Sequence, residues 1–196
     1  MNDIELTADE KKTLLKIAHE SILYGLQNHK SLPVNAQGYS HNLQQNRATF
    51  VTLNLQQKLR GCIGTLDAHQ PLICDVAEHA YAAAFEDPRF SPINEFELAQ
   101  LEIHLSILAP AVPLHFISEE DLLRQLQPGI DGLTLQAGAH RGTFLPAVWE
   151  QLPQPKQFVR HLKMKAGLAE NYWSNNLKIS RYTTTTIPDK IRTHHR

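Results

Sequence analysis

The sequence lacks most of the features that mark a specialised class of protein. It has only two cysteines, Cys62 and Cys74, so a disulfide framework is excluded and at most one bridge could form. Its 19 Lys and Arg residues nearly balance 20 Asp and Glu residues, which leaves a formal net charge of −1. Binding to nucleic acid or to an anionic membrane rests on clustered basic residues. We therefore expect neither a nucleic-acid partner nor membrane association.

Cofactor and targeting motifs are lacking as well. No G-x-G-x-x-G, P-loop, H-E-x-x-H or C-x-x-C pattern occurs, and of the eleven histidines only His194 and His195 are adjacent. We therefore expect no cofactor and no metal. The most apolar stretch, near residues 105–114, is short and contains two prolines, so it cannot span a bilayer. No basic segment followed by an apolar run begins the chain, which predicts a cytoplasmic protein with reduced thiols.

The hydrophobic pattern predicts interleaved helices and strands. Thr7 and Glu10 match a capping box at the start of an amphipathic helix over residues 8–28. The polar residues 28–46 read as a long surface loop. Strict alternation over residues 101–108 predicts a half-buried strand. Such a mixture indicates an α+β fold, mostly antiparallel sheet with segregated helices. The remaining predicted elements are hairpins at 49–55/59–66 and 132–136/141–145, helices at 71–85, 95–100, 118–127, 146–152 and 157–168, and a strand at 177–187.

The octet Leu-Arg-Gly-Cys-Ile-Gly-Thr-Leu, residues 59–66, is the most unusual of these segments. Glycine weakens a strand interior and often marks a place where another group comes close. In an extended chain, Arg60, Cys62 and Gly64 share one face, and Leu59, Gly61 and Ile63 share the other. Two glycines around a thiol therefore favour a shaped site over simple core filling.

Together with further motifs, the octet resembles the signature of the AMMECR1 domain family, also known as AmmeMemoRadiSam system protein A. The motifs occur in the family's order over about residues 10–187. They are Phe-Val-Thr-Leu at 50–53, Phe-Glu-Asp-Pro-Arg-Phe at 85–90, Leu-Glu-Ile at 101–103, Leu-Ser-Ile-Leu at 105–108, Gly-Thr-Phe-Leu-Pro at 142–146, and Lys-Ala-Gly-Leu at 165–168 followed by Trp173.

The resemblance implies a single domain over residues 1–187, and the terminal position of residues 188–196 predicts a flexible tail. It further implies two unequal subdomains built on a repeated β-α-β-β unit, with the octet near a cleft between them. Prokaryotic members accompany a Memo-like protein and a radical SAM protein, so these are the implied partners. Two positions depart from the family pattern: Asp131 replaces a frequent histidine, and His104 replaces a frequent acidic residue. The resemblance by itself therefore does not support a metal or acid–base role at either position, and any such role for His104 rests on its place in the strand.

One hypothesis for the octet is a cysteine-dependent enzyme. Cys62 would be the nucleophile, Arg60 would lower its pKa, and Glu102 or His104 would be the acid or base. The alternative is that Cys62 is a small buried hydrophobe, and that Glu102, His104 and Ser106 form the solvated polar face of an antiparallel sheet.

The other hypothesis is a binding or accessory protein, and we favour it. Guanidinium groups suit carboxylates and phosphates, so Arg60, Arg89 and Arg141 could bind a small anionic ligand. The alternative is three separate salt bridges, one of them to Asp87 or Glu86. The predicted ligand-binding residues are Arg60, Gly61, Cys62, Gly64, Thr65, Glu86, Asp87, Arg89 and Arg141.

Overall fold

A computed structural model describes residues 4–188 and divides the chain into two compact units. The larger unit comprises Ile4–Leu108 with residues 185–188, and the smaller unit comprises Ala109–Thr184. The flexible tail predicted at 188–196 lies outside the described residues except for Pro188. The predicted cleft between subdomains stays a prediction. Within residues 4–188 no helix has the length and apolar character needed to cross a membrane.

The described residues contain eight strands in two four-stranded sheets. The antiparallel pairings and segregated helices confirm the α+β class. The strands are β1 (Thr49–Leu55), β2 (Lys58–Gly64), β3 (Leu101–Leu108), β4 (Val112–Pro113), β5 (Gly132–Ala137), β6 (His140–Phe144), β7 (Lys178–Tyr182) and β8 (Thr184–Pro188). The helices are α1 (Ala8–Asn28), α2 (His41–Gln44), α3 (Leu72–Phe85), α4 (Glu95–Leu98), α5 (Glu119–Gln125) and α6 (Pro155–Lys165), with 3₁₀ helices at Ala36–Gly38 and Pro146–Glu150.

In the larger unit the strand order is β2-β1-β3-β8, and α1 and α3 pack on one face of this sheet. The predicted capping box starts α1: the Thr7 hydroxyl accepts from the Glu10 amide at 3.2 Å, and Glu10 accepts from the Thr7 amide at 2.8 Å. Alternation along β1 and β3 buries one apolar row against the helices. The central residues of that row are Val51, Leu53, Ile103 and Leu105.

The smaller unit has the strand order β4-β7-β5-β6 and a separate core. The rings of Trp149 and Phe158 stack with centroids 3.7 Å apart, and both are buried beside Leu133 and Leu135. Asp131 is also buried here; its backbone carbonyl accepts from Trp149 Nε1 at 2.7 Å.

The same topology occurs in both units. β1, β2, α3 and β3 follow one another as strand, strand, helix and strand, and so do β5, β6, α6 and β7. In each repeat the first strand, β1 or β5, lies between its hairpin partner on one side and the strand after the helix on the other. A glycine of the second strand meets an alanine in both cases: Gly61 meets Ala83, and Gly142 meets Ala166.

Some predicted boundaries were wrong. Residues 177–187 are not one strand: β7 and β8 belong to different sheets. The loop at 28–46 contains α2 and a 3₁₀ helix, and the octet strand ends at Gly64. The short helix predicted from Pro146 to Leu152 is a 3₁₀ helix that ends at Glu150, and α6 begins two residues earlier than predicted.

Candidate functional site

The first six residues of the octet, 59–64, lie on β2, the last strand at one end of its sheet. A Cβ atom on Gly61 would lie 2.1 Å from the carbonyl oxygen of Ala83 in α3, so no larger residue fits without moving the helix or the strand. Gly61 therefore faces α3. By alternation, Arg60 and Cys62 lie on the opposite face of the sheet.

Asp87 and Arg89 hold the backbone of Cys62 from outside the sheet. The Cys62 amide donates to Asp87 Oδ2 at 2.9 Å, and the Cys62 carbonyl accepts from Arg89 Nη2 at 3.2 Å. Arg89 also donates to Asp87 through Nε at 2.9 Å and Nη2 at 2.6 Å. Backbone groups at the edge of a sheet are left without a strand partner. This Asp87–Arg89 clamp satisfies them at Cys62 and fixes the position of the thiol.

The clamp remains charged near neutral pH. The side-chain hydrogen bonds from Arg89 hold the pKa of the buried Asp87 carboxyl well below its usual range, and the amides of Cys62 and Arg89 act in the same direction. Burial opposes this shift but is weaker than the Arg89 contribution. Asp87 in turn raises the pKa of Arg89.

Arg60 forms a two-point ion pair with Glu97 of α4. Nε donates to Glu97 Oε1 at 2.7 Å and Nη2 donates to Glu97 Oε2 at 3.0 Å. The Arg60 side chain is only 12% exposed, and its guanidinium lies 5.9 Å from the centre of the Phe90 ring. The hydrogen bonds from Arg60 lower the pKa of Glu97. Arg60 Nη1 is buried and has no hydrogen-bond partner among residues 4–188.

The Cys62 thiol faces a hydroxyl group. Cys62 Sγ lies 3.2 Å from Thr52 Oγ1 on β1. Thr52 is paired with Cys62 on one side and with His104 of β3 on the other, so these residues form a row across three strands. Since neighbouring strands are about 4.8 Å apart, the backbones of Cys62 and His104 lie roughly 10 Å apart across the sheet. Glu102 is paired with Asn54, further along the sheet. The roles predicted for Glu102 and His104 stay predictions.

The other predicted residues are placed as follows. A Cβ on Gly64 would lie 2.3 Å from the Thr49 carbonyl oxygen, so this glycine is also required by close packing. The Thr65 amide donates to the same oxygen at 3.0 Å. Glu86 is exposed at the end of α3, and Arg141 lies on β6 in the smaller unit. The structure thus brings Arg60, Cys62, Asp87 and Arg89 together in the larger unit, while Arg141 belongs to the other unit.

Two residues of the site were missed from the sequence. Glu97 could have been found, because Asn94 and Glu97 have the spacing of a capping box and form one. Thr52 could have been found from the register of the predicted hairpin, which places it opposite Cys62. In the part of the chain that is described, no group of three or more His, Cys, Asp or Glu side chains is arranged to hold a metal ion.

Comparisons with known proteins agree on one family. The model of the AMMECR1 family matches residues 15–187. A protein of Methanothermobacter thermautotrophicus is 37% identical over 168 residues, covering 83% of this chain and 85% of that protein. A protein of Thermotoga maritima is 38% identical over 136 residues, covering 68% and 73% respectively. The crystal structure of the uncharacterized protein PH0010 from Pyrococcus horikoshii superimposes with a TM-score of 0.85 at 27% identity and covers 93% of both chains.

Proposed function

The chain belongs to the AMMECR1 family, and we propose that it is a binding protein that holds a small oxyanion ligand beside β2. The observation that carries this proposal is the unpartnered Nη1 of Arg60. Glu97 fixes the other side of the same guanidinium, so the direction of Nη1 is set before any ligand arrives. Leaving a buried donor unpaired costs about 1–3 kcal/mol. Nη1 is covered in the free protein, so a ligand oxygen reaches it when a neighbouring side chain moves aside, and by accepting from Nη1 it would remove this cost.

The charges around Cys62 favour recognition by hydrogen-bond geometry over long-range attraction. Arg60 is paired with Glu97, and Arg89 is paired with Asp87, so the four groups together carry no net charge. Such a site attracts anions weakly from a distance. It selects a ligand whose oxygen can reach Nη1, and we expect modest affinity.

We further propose that the protein acts as an accessory to companion proteins that carry out the chemistry. The companions implied by the sequence resemblance are a Memo-like protein and a radical SAM protein. Family membership supports this part of the proposal, and the fixed geometry around Cys62 provides a rigid surface for it. Co-purification of the chain with each companion from the same genome tests it.

A titration with oxyanions tests the ligand site. Backbone amide signals of Cys62 and Thr65 are followed by NMR as inorganic phosphate, acetate or citrate is added, which separates phosphate from carboxylate recognition. The decisive variant is Arg60→Lys, which keeps the charge and removes the forked donor. The matched control is Arg160→Lys, an exposed arginine paired with Glu170 in the smaller unit.

We expect a saturable shift with at least one of these anions, weakened tenfold or more in Arg60→Lys and unchanged in Arg160→Lys. Equal binding by Arg60→Lys, or no binding of any of the three anions, would contradict the ligand proposal. Failure of both companions to co-purify would contradict the accessory role.

A cysteine-dependent enzyme is the second candidate. It is favoured by the row of Cys62, Thr52 and His104, in which the Thr52 hydroxyl already contacts the thiol. The test is the alkylation rate of Cys62 as a function of pH, repeated with Arg60→Ala and His104→Gln. A thiol that titrates near the free value of about 8.5 in all three proteins would exclude this mechanism.

A further inference from the structure

A second cluster of ionisable groups lies on α3, away from the thiol of the octet. Asp75 and His79 are one helical turn apart; Asp75 is fully buried and His79 is 8% exposed. His79 Nδ1 lies 3.1 Å from Asp75 Oδ2. A histidine whose Nδ1 is held by a buried carboxylate presents Nε2 in a fixed direction.

The surrounding hydrogen bonds determine which ring nitrogen carries the proton. The Thr49 hydroxyl donates to Asp75 Oδ2 at 2.6 Å, and the same hydroxyl oxygen lies 3.3 Å from His79 Nδ1. Since the Thr49 hydrogen is directed to Asp75, both atoms that face Nδ1 are acceptors. Nδ1 must therefore donate. In the neutral ring this leaves a lone pair on Nε2. The other carboxylate oxygen, Asp75 Oδ1, accepts from Gln70 at 3.1 Å.

His79 lines a cavity of about 480 Å³ within the larger unit. Cavities of this size hold small molecules. Its lining includes two carboxylates, Glu78 and Glu86, a lysine, Lys30, and Tyr81. One oxygen of Glu78 already accepts from Gln70 at 2.6 Å. The cavity thus offers a hydrogen-bond acceptor in His79 and groups of both charge signs.

We propose that this cavity is a second binding site, specific for a small zwitterion with an ammonium and a carboxylate group, as in an α-amino acid. The ammonium donates to Nε2 of His79 and to the Glu86 carboxylate, and the ligand carboxylate accepts from Lys30. An anion alone would be repelled by Glu78 and Glu86, and a cation alone would leave Lys30 without a partner in the ligand. Asp75 does not touch the ligand; it is a positioning residue that keeps Nε2 free to accept.

Glycine is the probe that tests this site, since it carries both groups and nothing else. The imidazole signal of His79 is assigned by its absence in His79→Gln, and His161→Gln is the control at an exposed histidine of the smaller unit. We expect glycine to shift the His79 signal saturably, with acetate and methylamine at least tenfold weaker. Binding should fall about tenfold or more in His79→Gln, because a hydrogen bond to a charged group is lost, and should be unchanged in His161→Gln.

Several results would overturn the proposal. One is a His79 signal that does not respond to glycine; another is an equal response to methylamine, which would show that the carboxylate is not recognised. Arg60→Lys should bind glycine normally, so failure of this site and failure of the oxyanion site are distinguishable.

The ring nitrogens of His79 give a test that needs no ligand. We expect the ¹⁵N spectrum of the native protein to show a protonated Nδ1 and a bare Nε2. In Asp75→Asn the amide can donate to Nδ1, so the proton should move to Nε2 and glycine binding should weaken about tenfold. A native protein with the proton on Nε2 would contradict the proposal directly.

Discussion

The Asp87–Arg89 clamp gives the sharpest prediction about stability. Asp87→Asn keeps the size of the side chain but replaces one acceptor oxygen by an NH₂ group. Asp87 accepts from the Cys62 amide and from three donors of Arg89: its amide, Nε and Nη2. An asparagine amide group can accept on one side only, so its own hydrogens must face donors on the other.

The expected loss is about 2–3 kcal/mol in the free energy of unfolding. Hydrogen bonds to a charged group contribute about 1.5–3 kcal/mol each, and an unpaired buried donor costs about 1–3 kcal/mol. The side chain of Arg89 is 54% exposed, so its share is reduced by solvent and the full sum does not apply. Urea denaturation measures the difference. Glu86→Gln, the same chemical change at the exposed neighbouring residue, is the control and should stay within about 0.5 kcal/mol.

The pH dependence of the stability loss in Asp87→Asn tests whether the charge of Asp87 causes it. Because the pKa of Asp87 is lowered in the folded state, its contribution is present above the unfolded value of about 3.9 and is lost as pH falls toward the folded value. The difference in unfolding free energy between the native protein and Asp87→Asn should therefore be constant from about pH 5 to 7. It should shrink as the pH falls below about 4. A difference in unfolding free energy under about 0.5 kcal/mol at pH 7 would show that the clamp does not stabilise the fold. A difference that stays unchanged in acid would show that the charge of Asp87 is not the cause.

Three further predictions concern single residues. Gly61→Ala should destabilise by about 3 kcal/mol in urea denaturation because its Cβ would meet helix backbone, whereas Gly38→Ala, with no atom within 4 Å, should be neutral; equal effects would contradict this. Burial raises the pKa of Tyr182 to about 12, so the stability contributed by its neutral, buried phenol should be lost as the pH rises from about 10. In an absorbance titration, Tyr182→Phe should remove the tyrosine ionisation that occurs at the highest pH. Burial also raises the pKa of Cys74, so alkylation in Cys62→Ser should reach half its maximal rate above the ordinary thiol value of about 8.5; a lower midpoint would count against it.

Elements with strong local patterns could be predicted from the sequence. The capping box at Thr7, the alternation of β3 and the β1–β2 hairpin all follow from neighbouring residues, and all are present. The split of residues 177–187 between two sheets could not be predicted. No glycine or proline interrupts residues 177–187, so no local signal marks the break between the two strands. What separates them is the pairing of β7 with β5 and of β8 with β3.

The family resemblance implied a repeated unit, but the residues themselves show little of it. An Arg-Gly pair occurs at Arg60–Gly61 and again at Arg141–Gly142, on the second strand of each repeat. Each glycine faces an alanine at the end of the following helix or just beyond it. Two shared residues are too few to be recognised as a repeat, although the packing that requires each glycine is the same.

The partners of the site residues come from distant parts of the chain, so the sequence alone could not identify them. The face shared by Arg60 and Cys62 follows from alternation alone. The partner of Arg60 is Glu97, 37 residues later, and its choice depends on where α4 lies beside the sheet. Likewise, Asp75 and His79 have a helical spacing visible in the sequence, but the hydroxyl group that donates to the buried Asp75 comes from Thr49 of β1.

A ligand can bind as proposed only if Arg60 offers a fixed, unfilled hydrogen-bond donor. The most direct measurement is a crystal structure of the protein with whichever of phosphate, acetate and citrate shifts the Cys62 amide. We expect a ligand oxygen within about 3.2 Å of Arg60 Nη1, with the Arg60–Glu97 pair intact. A ligand bound elsewhere, or one that is bound only after the Arg60–Glu97 pair has opened, would contradict it.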